Sequence, residues 1–257
     1  MKTLSPLLGL VALFALLAAA TAGPSLSLVK TGEEEVAPLG PIHVAGPGPH
    51  AIPIAVRGVP GATFSLKGEL FRRLSATVAP VAVFDWKKEA AIPSSGELIV
   101  RPEFSFEASK TSTSYLARFH QPGFPALAII AHPADFLEPL QTLAQGRPLQ
   151  LAGASDDLRR VLQDAGVRTE AVCSDAVSFE EKSIILWCSE PGPAFAPPKE
   201  SRLIITDLLE PGREVWKRSA EGGWVIHLHP SALTSTRLAT TTGLAHLLEL
   251  TTREPIP

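Results

Sequence analysis

The sequence predicts a mixed α and β protein in two parts: an N-terminal antiparallel β-sandwich followed by a small α/β domain with a parallel sheet. Two observations predict this fold class. Between about residues 62 and 131 apolar side chains recur with period two, which is typical of antiparallel strands with one buried face. After Pro133, strand-length apolar runs alternate with segments of helical spacing, as in parallel α/β sheets.

The N-terminal strands are predicted from alternating apolar residues separated by turn-forming residues. Residues 93–96 (Pro-Ser-Ser-Gly) and 121–123 (Gln-Pro-Gly) have the composition of turns. The alternating apolar side chains are Phe64, Leu66, Leu70, Leu98, Val100, Phe104, Phe106, Tyr115, Ala117 and Phe119. Several short strands of this kind indicate a sandwich over residues 61–132.

The α/β domain is predicted over residues 133–257. Leu137, Leu140 and Leu143 recur at helical spacing, and Gly146 follows them. Ser155 suits an N-cap. The predicted elements are a strand at 149–152, a helix from 155 to Gly166, strands at 167–173, 184–188 and 203–206, a helix at 210–220 and a strand at 224–228.

The amino terminus has the three parts of a secretory signal. Lys2 precedes an apolar run from Leu4 to Ala20, and Ala20-Thr21-Ala22 fits the small-residue cleavage rule. A membrane anchor is the alternative, but a spanning helix needs about 20 apolar residues and this run is slightly short. We therefore predict a signal peptide over residues 1–22, cleavage, and a periplasmic or extracellular protein with no later membrane span.

Composition narrows the partner classes. The net charge is −3, and phosphate binding requires a basic face, so the sequence argues against a nucleic-acid partner.

Residues 23–60 are rich in proline and glycine and are predicted to form an extended segment. Cys173 and Cys188 are the two cysteines, and in an exported protein they can form a disulfide or remain two buried thiols.

The second half resembles a small, degenerate class I glutamine amidotransferase-like domain of the flavodoxin-like type. The resembling stretches are 149–166, 183–192 and 221–228, the last with Gly222-Gly223 before an apolar strand. Active members of that family place a nucleophilic cysteine on a tight turn after this strand. Here His229-Pro230-Ser231 follows instead, so the resemblance implies a domain without that catalytic chemistry.

No catalytic, metal or cofactor site is predicted. His227 and His229 are two apart on a predicted strand and could share a face toward zinc or copper, but one partly buried sheet histidine and one strand-end cap are the preferred interpretation. Glu190 beside Cys188 opposes formation of a thiolate. The serines lack a Gly-x-Ser-x-Gly turn.

Binding residues are instead predicted at the carboxyl ends of the parallel strands, where ligands of open α/β sheets bind. Ser189, Glu190, Asp207 and His229 follow such strands and are the candidate ligand-binding residues there, although Asp207 is also placed to cap a helix. Trp86 lies among charged residues and is the candidate aromatic contact for a sugar or a protein.

Two functions remain open at the level of sequence. The first is an exported, non-catalytic binding or assembly protein of the bacterial envelope that recognises a protein or a glycan. The alternative is a hydrolase-type enzyme acting at the carboxyl ends of the parallel strands. The first is preferred because the residues that an enzyme requires are missing or badly spaced, and a strained turn holding His229 beside Asp207 or Glu190 would favour the second.

Overall fold

The computed structural model describes residues 25–28, 41–74, 77–120, 124–147, 149–172, 182–189 and 195–253. Over these ranges the protein is mixed α and β, rich in strands, with several sheets and few helices. Contacts divide the chain into two compact units. The first comprises the described residues of 1–38, 49–105 and 114–128, and the second those of 39–48, 106–113 and 129–257. The sequence-based domain ranges 61–132 and 133–257 stay a prediction.

The first ten strands are short except for one long hairpin. They are β1 (Ser25–Leu28), β2 (Ile42–Ala45), β3 (Gly48–Ala51), β4 (Ile54–Arg57), β5 (Thr63–Leu74), β6 (Thr77–Ala91), β7 (Glu97–Val100), β8 (Glu103–Phe106), β9 (Thr113–Phe119) and β10 (Leu127–His132). In the first unit β1, β4 and β7 form an antiparallel sheet, β3 pairs with β8, and β5 pairs antiparallel with both β6 and β9.

The period-two pattern of the sequence gives the first unit its buried face. Leu66 and Leu70 of β5 are buried, as is Phe104 of β8. The ring of Phe84 packs edge-on against Phe104, with 4.9 Å between ring centroids. Alternation places successive side chains on opposite faces of a strand, so these residues point inward together. The predicted strand character of this region agrees with the structure.

The second unit is built on a largely parallel sheet with helices. Its elements are α1 (Glu138–Gly146), β11 (Leu149–Ala152), α2 (Asp156–Asp164), β12 (Thr169–Ala171), β13 (Ile184–Trp187), β14 (Arg202–Thr206), β15 (Val215–Arg218), β16 (Trp224–Leu228), a 3-10 helix (Pro230–Leu233), α3 (Ser235–Leu238) and α4 (Thr241–Thr252). The strand order is β12-β11-β13-β14-β16-β15. All neighbours pair in parallel except β15, which is antiparallel to β16. β2 also pairs in parallel with β10 in this unit.

The helices α1 and α2 lie where the sequence predicts helices. The hydroxyl of Ser155 accepts a hydrogen bond from the Leu158 amide at 3.2 Å, which satisfies one free donor of the first turn. Gly166 has a positive φ of 81° just after α2, a conformation that glycine adopts without strain. Among the described residues no helix is long and apolar enough to cross a membrane.

The central strands of the parallel sheet are buried on both faces. Every residue of β11, β13 and β14 is buried. The side chains on the two faces of this sheet belong to two different apolar clusters. The larger cluster packs against the helices. The helix-side cluster comprises Leu140, Leu149, Leu151, Ala154, Leu158, Leu162, Val167, Ile184, Leu186, Ile204, Ile226, Leu228, Leu233, Leu238, Leu247 and Leu250. Such burial explains the continuous apolar runs in the sequence.

One predicted helix is wrong. The segment 210–220 contains β15, which pairs antiparallel with β16, and no helix. Trp216 of β15 packs edge-on against Trp224 of β16, with ring centroids 6.1 Å apart. Pairing and aromatic contact across the hairpin therefore override the helix preference of the charged residues in this segment.

Candidate functional site

Two places in the second unit collect polar side chains, and the first is the edge predicted from the sequence. Because β11, β13, β14 and β16 are parallel, their carboxyl ends meet at one edge of the sheet. Ser189, Asp207 and His229 follow three of these strands. Gly153 follows the fourth with a φ of 69°, and a Cβ there would lie 2.7 Å from the Cβ of Ser189. The strand ends are thus tightly packed at this point.

The structure pairs Asp207 with His227, not with His229. The Nδ1 atom of His227 lies 2.9 Å and 3.0 Å from the two carboxylate oxygens of Asp207. Both side chains are partly buried, with 17% of His227 and 32% of Asp207 exposed. The contact joins neighbouring strands, since His227 lies opposite Ile205 in the register of β14 and β16. An acid–imidazole pair therefore lies at this edge of the sheet.

His229 has a local role. Its Nδ1 atom lies 2.8 Å from the Ser231 hydroxyl and accepts the Ser231 amide at 3.2 Å, so the imidazole caps the 3-10 helix that follows. Its φ of −71° and ψ of 143° are those of ordinary extended backbone. The strained turn that would have favoured a hydrolase at this edge is therefore not found at His229.

The remaining sequence-predicted residues are only partly described. Glu190 and Cys173 lie outside the described residues, and so does the side chain of Trp86, whose backbone belongs to β6. Cys188 is a free thiol in the structure, and its disulfide with Cys173 stays a prediction. Burial raises the pKa of the Cys188 thiol to about 11, which keeps it protonated at neutral pH and disfavours a nucleophilic role.

The second place is a cavity of about 430 Å³ that the sequence analysis did not anticipate. This volume lies within the range of small-molecule pockets, about 300–1,000 Å³. All of its lining residues belong to the second unit: His43, Lys110, Thr111, Ser112, His132, Pro133, Phe136, Ala245, Leu248, Glu249, Thr252 and Arg253. No group of three or more histidine, cysteine, aspartate or glutamate side chains that could hold a metal ion occurs among the described residues.

A chain of hydrogen bonds runs through this cavity from a serine to two histidines. The hydroxyl of Ser112 lies 2.8 Å from Nδ1 of His132. On the other side of that ring, Nε2 of His132 lies 2.7 Å from Nδ1 of His43. The two imidazole rings are nearly parallel, at 15°. His132 therefore makes a hydrogen bond at each of its ring nitrogens. The tautomers of the two histidines decide which atom of each pair donates the proton.

The three residues come from segments that the fold brings together. His43 lies on β2, His132 ends β10, and these strands pair in parallel. The His43 amide donates to the Thr242 hydroxyl at 3.2 Å, which ties β2 to the first turn of α4. The ring of Phe136 stacks on His132, with centroids 4.6 Å apart and planes at 18°. These contacts limit rotation of both imidazoles.

Ser112 lies in an ordered turn. The Ser109 hydroxyl donates to the Thr111 carbonyl at 2.7 Å and accepts the Thr111 amide at 3.2 Å. The Thr113 hydroxyl donates to the same carbonyl and to the Ser109 hydroxyl, each at 3.3 Å. Serine and threonine turns of this kind fix the backbone by local hydrogen bonds. Ser112 is exposed, so its hydroxyl is accessible from solvent.

Burial keeps the two imidazoles neutral at neutral pH. It lowers the pKa of His132 to about 4, a positive charge on His43 adds to the lowering, and Glu249 opposes it. Burial also lowers the pKa of His43, with a further contribution from His246. Loss of hydration disfavours the charged form of a histidine, which is the common cause of these shifts.

His246 adds a third buried imidazole to the same unit. Its Nε2 atom lies 3.2 Å from Oε1 of Glu214. Burial lowers its pKa, and Arg237 acts in the same direction, while Glu214 and Glu249 act against them. The net direction is toward the neutral ring because desolvation outweighs the attraction of the carboxylates.

These lowered pKa values predict that the second unit loses stability as the pH falls from 7 to 5. The unfolded state takes up protons near pH 6.5, whereas the folded histidines remain neutral, so the unfolding free energy falls with pH. For the half-exposed His132 we expect a contribution of about 1 kcal/mol at pH 5 after allowance for solvent screening. Urea unfolding of wild type and His132→Gln at both pH values measures it. Equal losses in the two proteins would show that His132 is not held neutral.

The sequence offered only one weak signal for this cavity. His132 directly follows a strand-length apolar run and precedes Pro133, so it stands at a strand end. His43 lies in a proline-rich segment, and Ser112 lies in a polar turn without a recognisable motif. The partners are separated by 20 and 89 positions, so no local pattern joins them.

Comparisons with known proteins give no identity. No family model matches the chain, and no curated protein matches it. Among solved structures, the crystal structure of CBD12 from CALX1.2 is similar with 10% identity and a TM-score of 0.26. That match covers 44% of this chain and 46% of the other, so the chain spans less than half of that protein.

Proposed function

We propose that this protein is an exported binding or assembly protein of the bacterial envelope that recognises an extended segment of another protein. One observation carries the proposal: the first half of β6 is an exposed, apolar strand at the edge of its sheet. The exposed fractions are 44% for Val78, 43% for Val81 and 74% for Val83, and Leu74 on β5 is 47% exposed. Unpaired apolar edges are templates for adding a strand.

The composition of this edge favours a protein over a glycan. Residues 77–84 read Thr-Val-Ala-Pro-Val-Ala-Val-Phe and contain no charge. Natural edge strands are commonly protected by lysine or by inward charges, and here Pro80 alone interrupts the row of donors. Aliphatic side chains bury well against another strand, whereas glycan recognition relies on aromatic platforms and polar side chains. A protein strand is therefore the occupant that fits.

The finer fold assignment belongs to the same proposal. We interpret the strands of the first unit as an antiparallel β-sandwich and the second unit as a flavodoxin-like domain that resembles a degenerate class I glutamine amidotransferase. Renumbered within the second unit, the parallel strands follow the order 2-1-3-4-5, which is the flavodoxin-like order. The crossover from β11 to β12 runs through α2, in keeping with that fold.

Export is proposed from the amino terminus alone. The predicted signal sequence over residues 1–22 lies outside the described residues. Amino-terminal sequencing of the protein secreted by its host tests this step, with Gly23 expected as the first residue of the mature chain.

The binding function predicts a specific loss on charging the β6 edge. We expect Val81→Lys with Val83→Lys to lower recovery of a stoichiometric protein partner from the host envelope at least about tenfold, since burying an unpaired ammonium costs more than 1.4 kcal/mol. Val59→Lys is the matched control, because Val59 is 53% exposed but lies between strands. Affinity purification with quantitative mass spectrometry measures all three proteins.

Two outcomes contradict this proposal. A partner retained by the double variant as well as by the control would show that the β6 edge is not the binding surface. A glycan that binds wild type and double variant equally would place recognition elsewhere and identify a different ligand class. Urea unfolding of each variant ensures that lost binding is not lost folding.

A further inference from the structure

We propose that Ser112, His132 and His43 form a nucleophile, base and positioning histidine that hydrolyse small carboxylic esters in the cavity of the second unit. This activity goes beyond the proposed binding function and depends on different residues, because the β6 edge belongs to the first unit. No Gly-x-Ser-x-Gly turn surrounds Ser112, so the arrangement is visible only in three dimensions.

The order of contacts is that of a catalytic triad with histidine in the third place. A serine becomes a nucleophile when a neighbouring base accepts its proton and a third group orients that base. Here the Ser112 hydroxyl lies 2.8 Å from Nδ1 of His132, and Nε2 of His132 lies 2.7 Å from Nδ1 of His43. The proposal takes the tautomer of His132 with its proton on Nε2, so that the serine donates to Nδ1 and Nε2–H donates to His43. In this tautomer the lone pair of His132 faces the serine and the third residue fixes the ring.

The surroundings of the three residues suit an acyl transfer. The Ser109 turn holds the nucleophile, and Phe136 covers one face of the base. Lys110 and Arg253 line the same cavity, and positive charge stabilises an oxyanion that develops during acyl transfer. Glu249, also at the wall, acts in the direction that stabilises a protonated His132. The imidazole is neutral before reaction, as a general base must be, whereas the burial that lowers its pKa to about 4 opposes its protonation during the step.

The steps balance without a cofactor. The Oγ atom of Ser112 forms a bond to the acyl carbon while its proton moves to Nδ1 of His132, which gives a tetrahedral oxyanion. The carbon–oxygen bond to the alcohol then breaks, and the alcohol leaves with the proton from His132. Water attacks the acyl group on Ser112, gives a proton to His132, and the acid is released as the serine recovers that proton. The products are one carboxylic acid and one alcohol.

The chain contains its own control for this geometry. Ser231 also places its hydroxyl 2.8 Å from a histidine Nδ1, that of His229, and it is exposed like Ser112. That pair is two residues apart and serves as a helix cap, with the Ser231 amide donating to the same nitrogen. The lone pair of His229 is thus already engaged. A reactive serine is expected at position 112 and not at 231.

Labelling with a fluorophosphonate and hydrolysis of p-nitrophenyl acetate test the proposal on the full mature chain. We expect the adduct, located by peptide mass spectrometry, on Ser112 in wild type and in Ser231→Ala, and no adduct at that site in Ser112→Ala. Ester turnover should fall at least about 100-fold in Ser112→Ala and stay unchanged in Ser231→Ala. Near-ultraviolet circular dichroism ensures that each variant is folded.

The role of His43 as a positioning residue is tested by the kinetic parameters and the pH profile of a His43 variant. We expect His43→Gln to lower kcat about 10-fold to 100-fold with KM nearly unchanged, and to move the acid limb of the kcat profile. A structural role alone would not move that limb. The proposal is overturned if folded wild type gives no adduct at Ser112, if Ser231 is labelled equally, or if Ser112→Ala retains the ester turnover.

Discussion

Replacing Gly223 with alanine is expected to lower the unfolding free energy of the second unit by about 3 kcal/mol. Gly223 begins the approach to β16, and its amide donates to the Pro197 carbonyl at 2.9 Å. A Cβ at this position would collide with the carbonyl oxygens of Pro197 and Pro198. Both obstacles are backbone atoms, so relief requires the chain itself to move and the hydrogen bond to be lost.

Gly222→Ala provides the matched control for that prediction. Gly222 has a φ of 88°, but the nearest atom to an added Cβ is that of Lys199 at 3.9 Å. Alanine there meets backbone strain without a collision, and we expect a loss of about 1 kcal/mol. Urea unfolding followed by the fluorescence of Trp187, Trp216 and Trp224 measures both variants. Equal losses would mean that close packing against the proline carbonyls contributes nothing.

The glycine pair that carries part of the family resemblance also has a role in the hairpin. In the amidotransferase-like family that the second half resembles, a pair of glycines precedes the strand that delivers the nucleophile, and Gly222-Gly223 stand at the corresponding place. In the structure they close the β15–β16 hairpin, where the Gly222 amide donates to the Ser219 carbonyl at 3.1 Å. The turn and the close packing account for both glycines, and the family resemblance stays a prediction.

Elements set by local physics were predictable. The start of α2 follows from the Ser155 cap and its end from Gly166, both of which act within a few residues. The buried strands β13 and β14 follow from continuous apolar runs. Each of these signals lies inside the segment it defines, so no knowledge of the rest of the chain is needed.

Elements set by distant contacts were not predictable. β15 forms because Trp216 packs on Trp224, whose ring also receives the Arg218 guanidinium at 5.0 Å from its centroid. β2 forms because it pairs with β10, far along the chain. The Ser112–His132–His43 chain inherits this dependence, because it exists only once β2, the Ser112 turn and β10 have converged. Asp207 was foreseen at the sheet edge, but its partner His227 depends on the register of two strands.

Replacing Arg202 with methionine is expected to cost about 3 kcal/mol of unfolding free energy. Arg202 is buried in β14, with 8% of its surface exposed. One guanidinium nitrogen donates to the carbonyls of Leu250 at 2.8 Å and Arg253 at 3.0 Å. These carbonyl oxygens lie at the C-terminal end of α4, where the helix dipole places partial negative charge. A cation there satisfies the free acceptors and interacts favourably with the dipole.

Two further variants make the Arg202 prediction specific. Arg202→Lys keeps the charge but loses the planar donor set, and we expect an intermediate loss. Arg160→Met removes an exposed arginine whose Asp157 contact is 3.3 Å, and we expect a change below about 0.5 kcal/mol. If Arg202→Met were as stable as Arg160→Met, the buried guanidinium would not be supporting α4.

The same contact joins the parallel sheet to the cavity. Glu249 and Thr252 in the last turn of α4, and Arg253 directly after it, line the cavity together with Ser112. When the carbonyl of residue 253 loses its partner on β14, the helix end frays and this wall moves. We therefore expect Arg202→Met to increase amide hydrogen exchange in the last turn of α4 and to slow labelling of Ser112 by the fluorophosphonate. Unchanged labelling together with increased exchange would show that the nucleophile is positioned without the helix end.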